Sequence, residues 1–68
     1  MSSFSENLAR LRKENKISQQ KLAEKICVTQ QCVSEWENDN IEPTLTNLCL
    51  LADFFNMSID ELVGRKEY

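Results

Sequence analysis

Residues 18–38, SQQKLAEKICVTQQCVSEWEN, decide the fold. Ser18 can cap a helix, and Leu22, Ala23 and Ile26 follow at the three- and four-residue spacing of a buried helical stripe. Thr29 offers a second cap, and Val33 and Trp36 form the apolar pair of a second short helix. Only Cys27, Val28 and Thr29 separate the two. A connection this short cannot lay two short helices antiparallel, so they cross at a steep angle as a helix-turn-helix unit. Leu22, Ile26, Val28, Val33 and Trp36 then seal its inner side, and Gln30, Gln31, Ser34 and Glu35 point outward from the second helix.

Outward from this unit the chain stays helical. Ser3 with Glu6 fits a capping box, and Phe4, Leu8 and Leu11 continue a helix over about 4–14. Asn15 and Lys16 interrupt it, Ile17 packs as a staple, and the central pair occupies about 19–26 and 30–37. Asn38 to Glu42 reads as a polar loop. Pro43-Thr44 announces a fourth helix over about 45–55, with Thr44 as cap and Leu45, Leu48, Leu51, Ala52 and Phe55 as its inward stripe. Asn56 can close it in a left-handed conformation. Ser58 with Glu61 opens a last helix over about 59–63, its apolar face is Ile59, Leu62 and Val63, and Gly64 stops it ahead of a frayed tail at 65–68. One glycine and one proline are too few for the turns of a strand-rich domain. The expected architecture is all-α: a compact five-helix bundle with its helix-turn-helix at helices two and three. A chain of 68 residues supports one core, so residues 1–68 read as a single domain.

Composition removes several function classes. The longest apolar run, Leu48 to Ala52, is far below the ~18 residues of a membrane span, and Met1-Ser2-Ser3 does not begin a signal peptide. A cytoplasmic protein is expected. Cys27, Cys32 and Cys49 cannot all pair within one chain, and with no histidine they supply neither a four-ligand zinc set nor the usual general base. Neither a metal, a cofactor, a small-molecule ligand nor an enzyme activity is expected. The net charge of −3 runs against the basic footprint of a nucleic-acid binder, but it is unevenly spread: residues 1–34 carry +3 and residues 35–68 carry −6. Such a dipole lets one face approach phosphate while another is repelled.

The stretches Ser18-Gln-Gln-Lys-Leu-Ala-Glu-Lys-Ile and Thr29-Gln-Gln-Cys-Val-Ser-Glu-Trp-Glu-Asn resemble the Cro and phage-repressor type of helix-turn-helix, the XRE-like, lambda-repressor-like family of prokaryotes and phages. Pro43-Thr-Leu-Thr-Asn-Leu and Leu51-Ala-Asp-Phe-Phe-Asn-Met-Ser-Ile-Asp-Glu-Leu are similar to its fourth and fifth helices, so the likeness covers nearly the whole chain. It implies a DNA-binding transcription regulator that occupies an operator as a homodimer, with the third helix in the major groove of double-stranded DNA.

Within that resemblance Gln30 and Gln31 become the base readers, since an amide matches the N6 and N7 edge of adenine, with Ser34 and Glu35 beside them. Gln19, Thr29, Asn38 and Asn40 become phosphate contacts. Arg12 and Glu37 match positions that form a structural ion pair. Leu50 and Phe54 lie off the inward stripe and, with Ile59 and Val63, are assigned to the dimer interface. Two departures stand out. Cys27 replaces a turn glycine, and Asp39-Asn40 replaces a Gly-Lys pair, so Asp39 and Glu42 add repulsion where the family uses a cation. The competing function is a protein-interaction module on the same fold, antitoxin-like, with weak DNA binding.

Overall fold

The computed structural model describes residues 3–64, in five helices: α1 (Ser3–Glu14), α2 (Gln19–Lys25), α3 (Gln30–Glu37), α4 (Leu45–Phe55) and α5 (Ile59–Val63). Four begin as the sequence predicts. The side chains of Ser18, Thr29, Thr44 and Ser58 accept from Lys21, Cys32, Asn47 and Glu61 backbone N–H groups, and at α5 the reciprocal Glu61 bond completes a capping box. α1 differs. Ser3 is already inside the helix and packs against Gly64, so it is not the cap of a box with Glu6. At the other end of α2, Ile26 is the C-cap and not a helical residue. The tail 65–68 and the first two residues lie outside the described residues.

All five helices close on a residue in the left-handed region: Lys16, Cys27, Asp39, Asn56 and Gly64. A left-handed residue lets the next N–H reach back to the carbonyl five residues earlier and satisfy an orphan acceptor at the helix end. Ile17 donates to Arg12, Val28 to Ala23, Asn40 to Glu35 and Met57 to Ala52 in this way. Ile17, Val28 and Met57 then pack on the core, so each closure ends in an apolar anchor. The third closure places Asn40 there instead, and the chain leaves the bundle as a polar loop. Only one closure is a glycine. At Gly64 φ is +79° and an added Cβ would sit 2.8 Å from Ser3 Cβ, so this position takes no other residue without movement.

The core is Phe4, Leu8 and Leu11 of α1, Leu22, Ala23 and Ile26 from α2 and its cap, Val33 and Trp36 of α3, Leu51 and Ala52 of α4, and Leu62 of α5. Trp36 is its largest fully buried side chain, and it meets Phe4 edge to face with centroids 6.5 Å apart, which joins α3 to α1. Asn7 donates to the Leu62 carbonyl at 3.1 Å and ties α5 to the start of α1. The α4 stripe is shorter than expected. Leu51 and Ala52 are buried and Leu48 and Phe55 partly so, but Leu45 is 69% exposed. It stands in the first turn of α4.

Cys27 holds φ +61° in the turn between α2 and α3, a conformation that costs a side chain roughly 1–2 kcal/mol. Cys27→Gly is expected to raise the thermal midpoint by a few degrees and Cys27→Val to lower it, since β-branching adds to the strain there. Circular dichroism melts of the two variants against wild type check the opposite signs.

Candidate nucleic-acid interface

α3 has two unlike sides. At about 100° per residue, Val33 and Trp36 face the core while Gln30, Gln31, Ser34 and Glu35 spread over about 140° of the opposite surface. Gln30 and Gln31 are exposed, and no described residue engages their amides. Each keeps two donors and an acceptor available in the first turn of the helix.

Ser34 and Glu35 are half-buried and engaged. The Asn38 amide donates to Ser34 Oγ at 3.4 Å, and the Asn40 amide donates to Glu35 Oε1 at 2.9 Å. The loop after α3 is folded back on the helix by its own asparagines. Asp39, between them, takes the left-handed conformation that the resemblance assigns to a glycine, so aspartate reproduces the backbone while changing the charge. Thr29 accepts from Cys32 N at 3.1 Å as the cap of α3, which leaves its hydroxyl proton free to donate.

The C-terminal end of α3 is held by an ion pair. Arg12 Nε donates to Glu37 Oε2 at 2.6 Å and Nη2 to Oε1 at 3.1 Å, and Nη1 donates to the Ile17 carbonyl at 3.0 Å. The side chains are 14% and 8% exposed, and the bonds to Glu37 raise the Arg12 pKa above its already high ordinary value. Gln19 Nε2 adds a third bond to Glu37 Oε1 at 3.0 Å. The resemblance assigns Gln19 to a phosphate, and its amide keeps one N–H beyond the bond to Glu37. The structure places its amide on Glu37, where the first residue of α2 is joined to the end of α3.

The surface around α2 and α3 carries exposed Lys21 and Lys25, with Lys21 3.8 Å from Glu24. Cys27 and Cys49 are exposed free thiols, and Cys32 is half-buried with its thiol pushed up by burial and then by Glu35. Among the described residues no group of three or more cysteines, aspartates or glutamates could hold a metal ion, and no helix is long and apolar enough to cross a membrane. On α4, Leu50 and Phe54 are each 39% exposed, one turn apart. Ile59 and Val63, grouped with them from the sequence, pack on the chain's own core and leave only part of their surface outside.

Residues 8–62 match a family model described as helix-turn-helix. The HTH-type transcriptional activator BcrR of Enterococcus faecalis is 34% identical over 64 residues, covering 94% of this chain and 31% of BcrR. A transcriptional regulator from Listeria innocua is similar in structure, with a TM-score of 0.89 and 37% identity over 96% of this chain and 61% of that one. The P22 c2 repressor, solved in complex with a synthetic operator, gives a TM-score of 0.86 and 30% identity, over 93% of this chain and 96% of its own. This chain thus spans less than a third of BcrR.

Breaking one side of a buried pair leaves the other charge without a partner, so Glu37→Gln should cost about 2–4 kcal/mol of stability. The paired substitution of Arg12 and Glu37 by methionine should cost less than the sum of the two single changes. Urea unfolding of wild type, Glu37→Gln, the two single methionine variants and the double variant, followed through Trp36 fluorescence, measures both.

Proposed function

This chain belongs to the helix-turn-helix family, and from that premise we propose that it is a sequence-specific regulator of transcription that occupies an operator as a homodimer, with α3 in the major groove. The reading is carried by the outward face of α3. Gln30 and Gln31 stand exposed and unengaged on a helix whose opposite face is buried through Val33 and Trp36 and whose C-terminal end is held by Glu37, in a fold shared with a repressor solved on its operator. Two amides preorganised at one end of a short helix suit hydrogen-bonding edges in a groove. Ser34 and Glu35 take a secondary part. Their bonds to Asn38 and Asn40 set the helix end, and Glu35 adds a carboxylate that discriminates against bases offering acceptors.

Phosphate contacts fall to groups that keep a donor after their internal bonds are made: Gln19, Thr29, Asn38 and Asn40 by their remaining amide or hydroxyl protons, and Lys21 and Lys25 by charge. So few cations, beside Asp39 and Glu42, make the affinity modest and strongly salt-limited. The dimer forms through Leu50 and Phe54, with the exposed edges of Ile59 and Val63 at its margin, and sets two α3 helices ~34 Å apart. The protein works in the cytoplasm, where its DNA is. A protein-interaction module with residual DNA binding gains from the acidic loop, and a gel shift on genomic fragments at low salt separates the two readings.

Selection from a random DNA pool supplies the operator, and Gln30→Ala and Gln31→Ala are then expected to lose roughly 1–3 kcal/mol of discrimination at particular bases. Fluorescence anisotropy on operator and random duplexes measures it. Equal loss on both would remove these residues as base readers, because a phosphate contact weakens all sequences alike.

Leu50→Glu places a carboxylate one turn from Phe54 on the exposed surface of α4. Sedimentation velocity should show a shift toward monomer without loss of helix content. A wild type already monomeric at about 100 µM would mean that pairing on DNA, not in solution, brings two copies together.

A further inference from the structure

We infer that Asn40 is a specificity-determining residue that acts through Glu35, holding its carboxylate as an acceptor for the exocyclic amino group of a cytosine in the major groove. The inference rests on the DNA reading of α3 and names one base edge for it.

Asn40 is bound to Glu35 twice. Its backbone N–H donates to the Glu35 carbonyl at 2.9 Å, and its side-chain amide donates to Glu35 Oε1 at 2.9 Å. The first bond closes the helix, and that closure does not need the second. Where α1, α2 and α4 close in the same way, the residue at this place is Ile17, Val28 or Met57, which packs on the core. At the end of α3 it is an amide that turns back to the outward side of the helix. The left-handed backbone of Asp39, with φ +61°, sets Asn40 at this distance.

A charge-assisted bond of this kind fixes a side chain that would otherwise spread over many rotamers. Glu35 is half-buried, and its field reaches back along α3, where burial first and this charge second push the Cys32 thiol up. Among the described residues nothing else bonds the carboxylate, so Oε2 keeps its lone pairs. Glu35 also stands four residues after Gln31, which puts the two on one side of the helix, a turn apart.

A carboxylate offers acceptors and no donor. It matches cytosine, whose major-groove edge presents N4–H₂ alone, and it is repelled by O6 and N7 of guanine and O4 of thymine. Adenine sets an N7 acceptor beside its N6 donor and suits the glutamines better. Rigidity sharpens the choice, because a mobile carboxylate would swing away from an acceptor edge into water and escape the repulsion.

The test takes the operator selected from a random pool and compares wild type, Asn40→Ala, Glu35→Ala and the double variant by fluorescence anisotropy. The duplexes are the operator, its versions with each other base pair at the cytosine position, and a random sequence. Wild type is expected to favour cytosine at one pair of each half-site by about tenfold. Each single substitution should reduce that ratio severalfold, and Asn40→Ala in the Glu35→Ala background should change it no further. The loss should be confined to that pair, which a merely loosened helix end would not produce. Thermal melts verify that the variants are folded, since the Asn40 backbone bond remains. If Asn40→Ala weakens operator and random duplexes by one factor, Asn40 is a phosphate contact and the inference is overturned. Independent, additive losses from the two substitutions would also overturn it. A selected operator whose preferences all survive Glu35→Ala would overturn it while leaving the reading by Gln30 and Gln31 standing. Failure to select any sequence would overturn both.

Discussion

The guanidinium of Arg12 is the point on which the arrangement of the first three helices depends. Its three nitrogens reach Glu37 twice and the Ile17 carbonyl once, and Glu37 takes a further bond from Gln19. The guanidinium thereby joins the end of α1 to the α1–α2 turn and the end of α3, and Glu37 carries the link on to the start of α2. A guanidinium can do this because its donors lie in a fixed fork, and a lysine at the same position could not span the same partners. The bonds are short of water but not cut off from it, so the pair fixes a crossing angle more than it adds net stability. The inner face of the helix-turn-helix is then filled by Leu22, Ile26, Val33 and Trp36, and the outer face of α3 is presented in one orientation.

The helix ends give the bundle its rigidity. A domain of this size buries little surface, and short loops that satisfy their own carbonyls reduce the number of residues that must be ordered without return. Here left-handed closures do that at every helix, four of them with a side chain present. Three closures end in an apolar residue that enters the core, and the one after α3 ends in Asn40, which turns back to Glu35. After that closure the chain runs on as the polar loop to α4.

Charge and exposure divide the surface in a way that the composition alone conceals. The net charge of −3 argues against nucleic acid, yet the exposed amides of α3 and the lysines of α2 belong to the positive half of the chain, and the carboxylates gather on the loop and on the later helices. Fields act locally within about 8–10 Å at working salt, so a neutral-to-basic face can coexist with an acidic one on so small a body.

Much of this was legible in the sequence. The caps at Ser18, Thr29, Thr44 and Ser58, the left-handed Asn56 and Gly64, the buried stripes and the outward Gln30 and Gln31 follow from side-chain oxygens, backbone freedom and helical period, all of which act within about one turn. The ion pair of Arg12 with Glu37 was reached only through a family resemblance, because nothing local relates residues 25 apart. Other features depended on the packing itself. Gln19 on Glu37, Asn40 on Glu35, the start of α1 at Ser3, the outward Leu45 and the part-covered Ile59 and Val63 are set by where one helix ends against another. The surface cavity lined by Phe4, Ile41, Pro43, Leu48 and Val63 draws on α1, the loop, α4 and α5, and no stretch of sequence contains it. A helix's own period says which of its faces is apolar, but only the crossing angles and lengths of its neighbours decide how much of that face they cover.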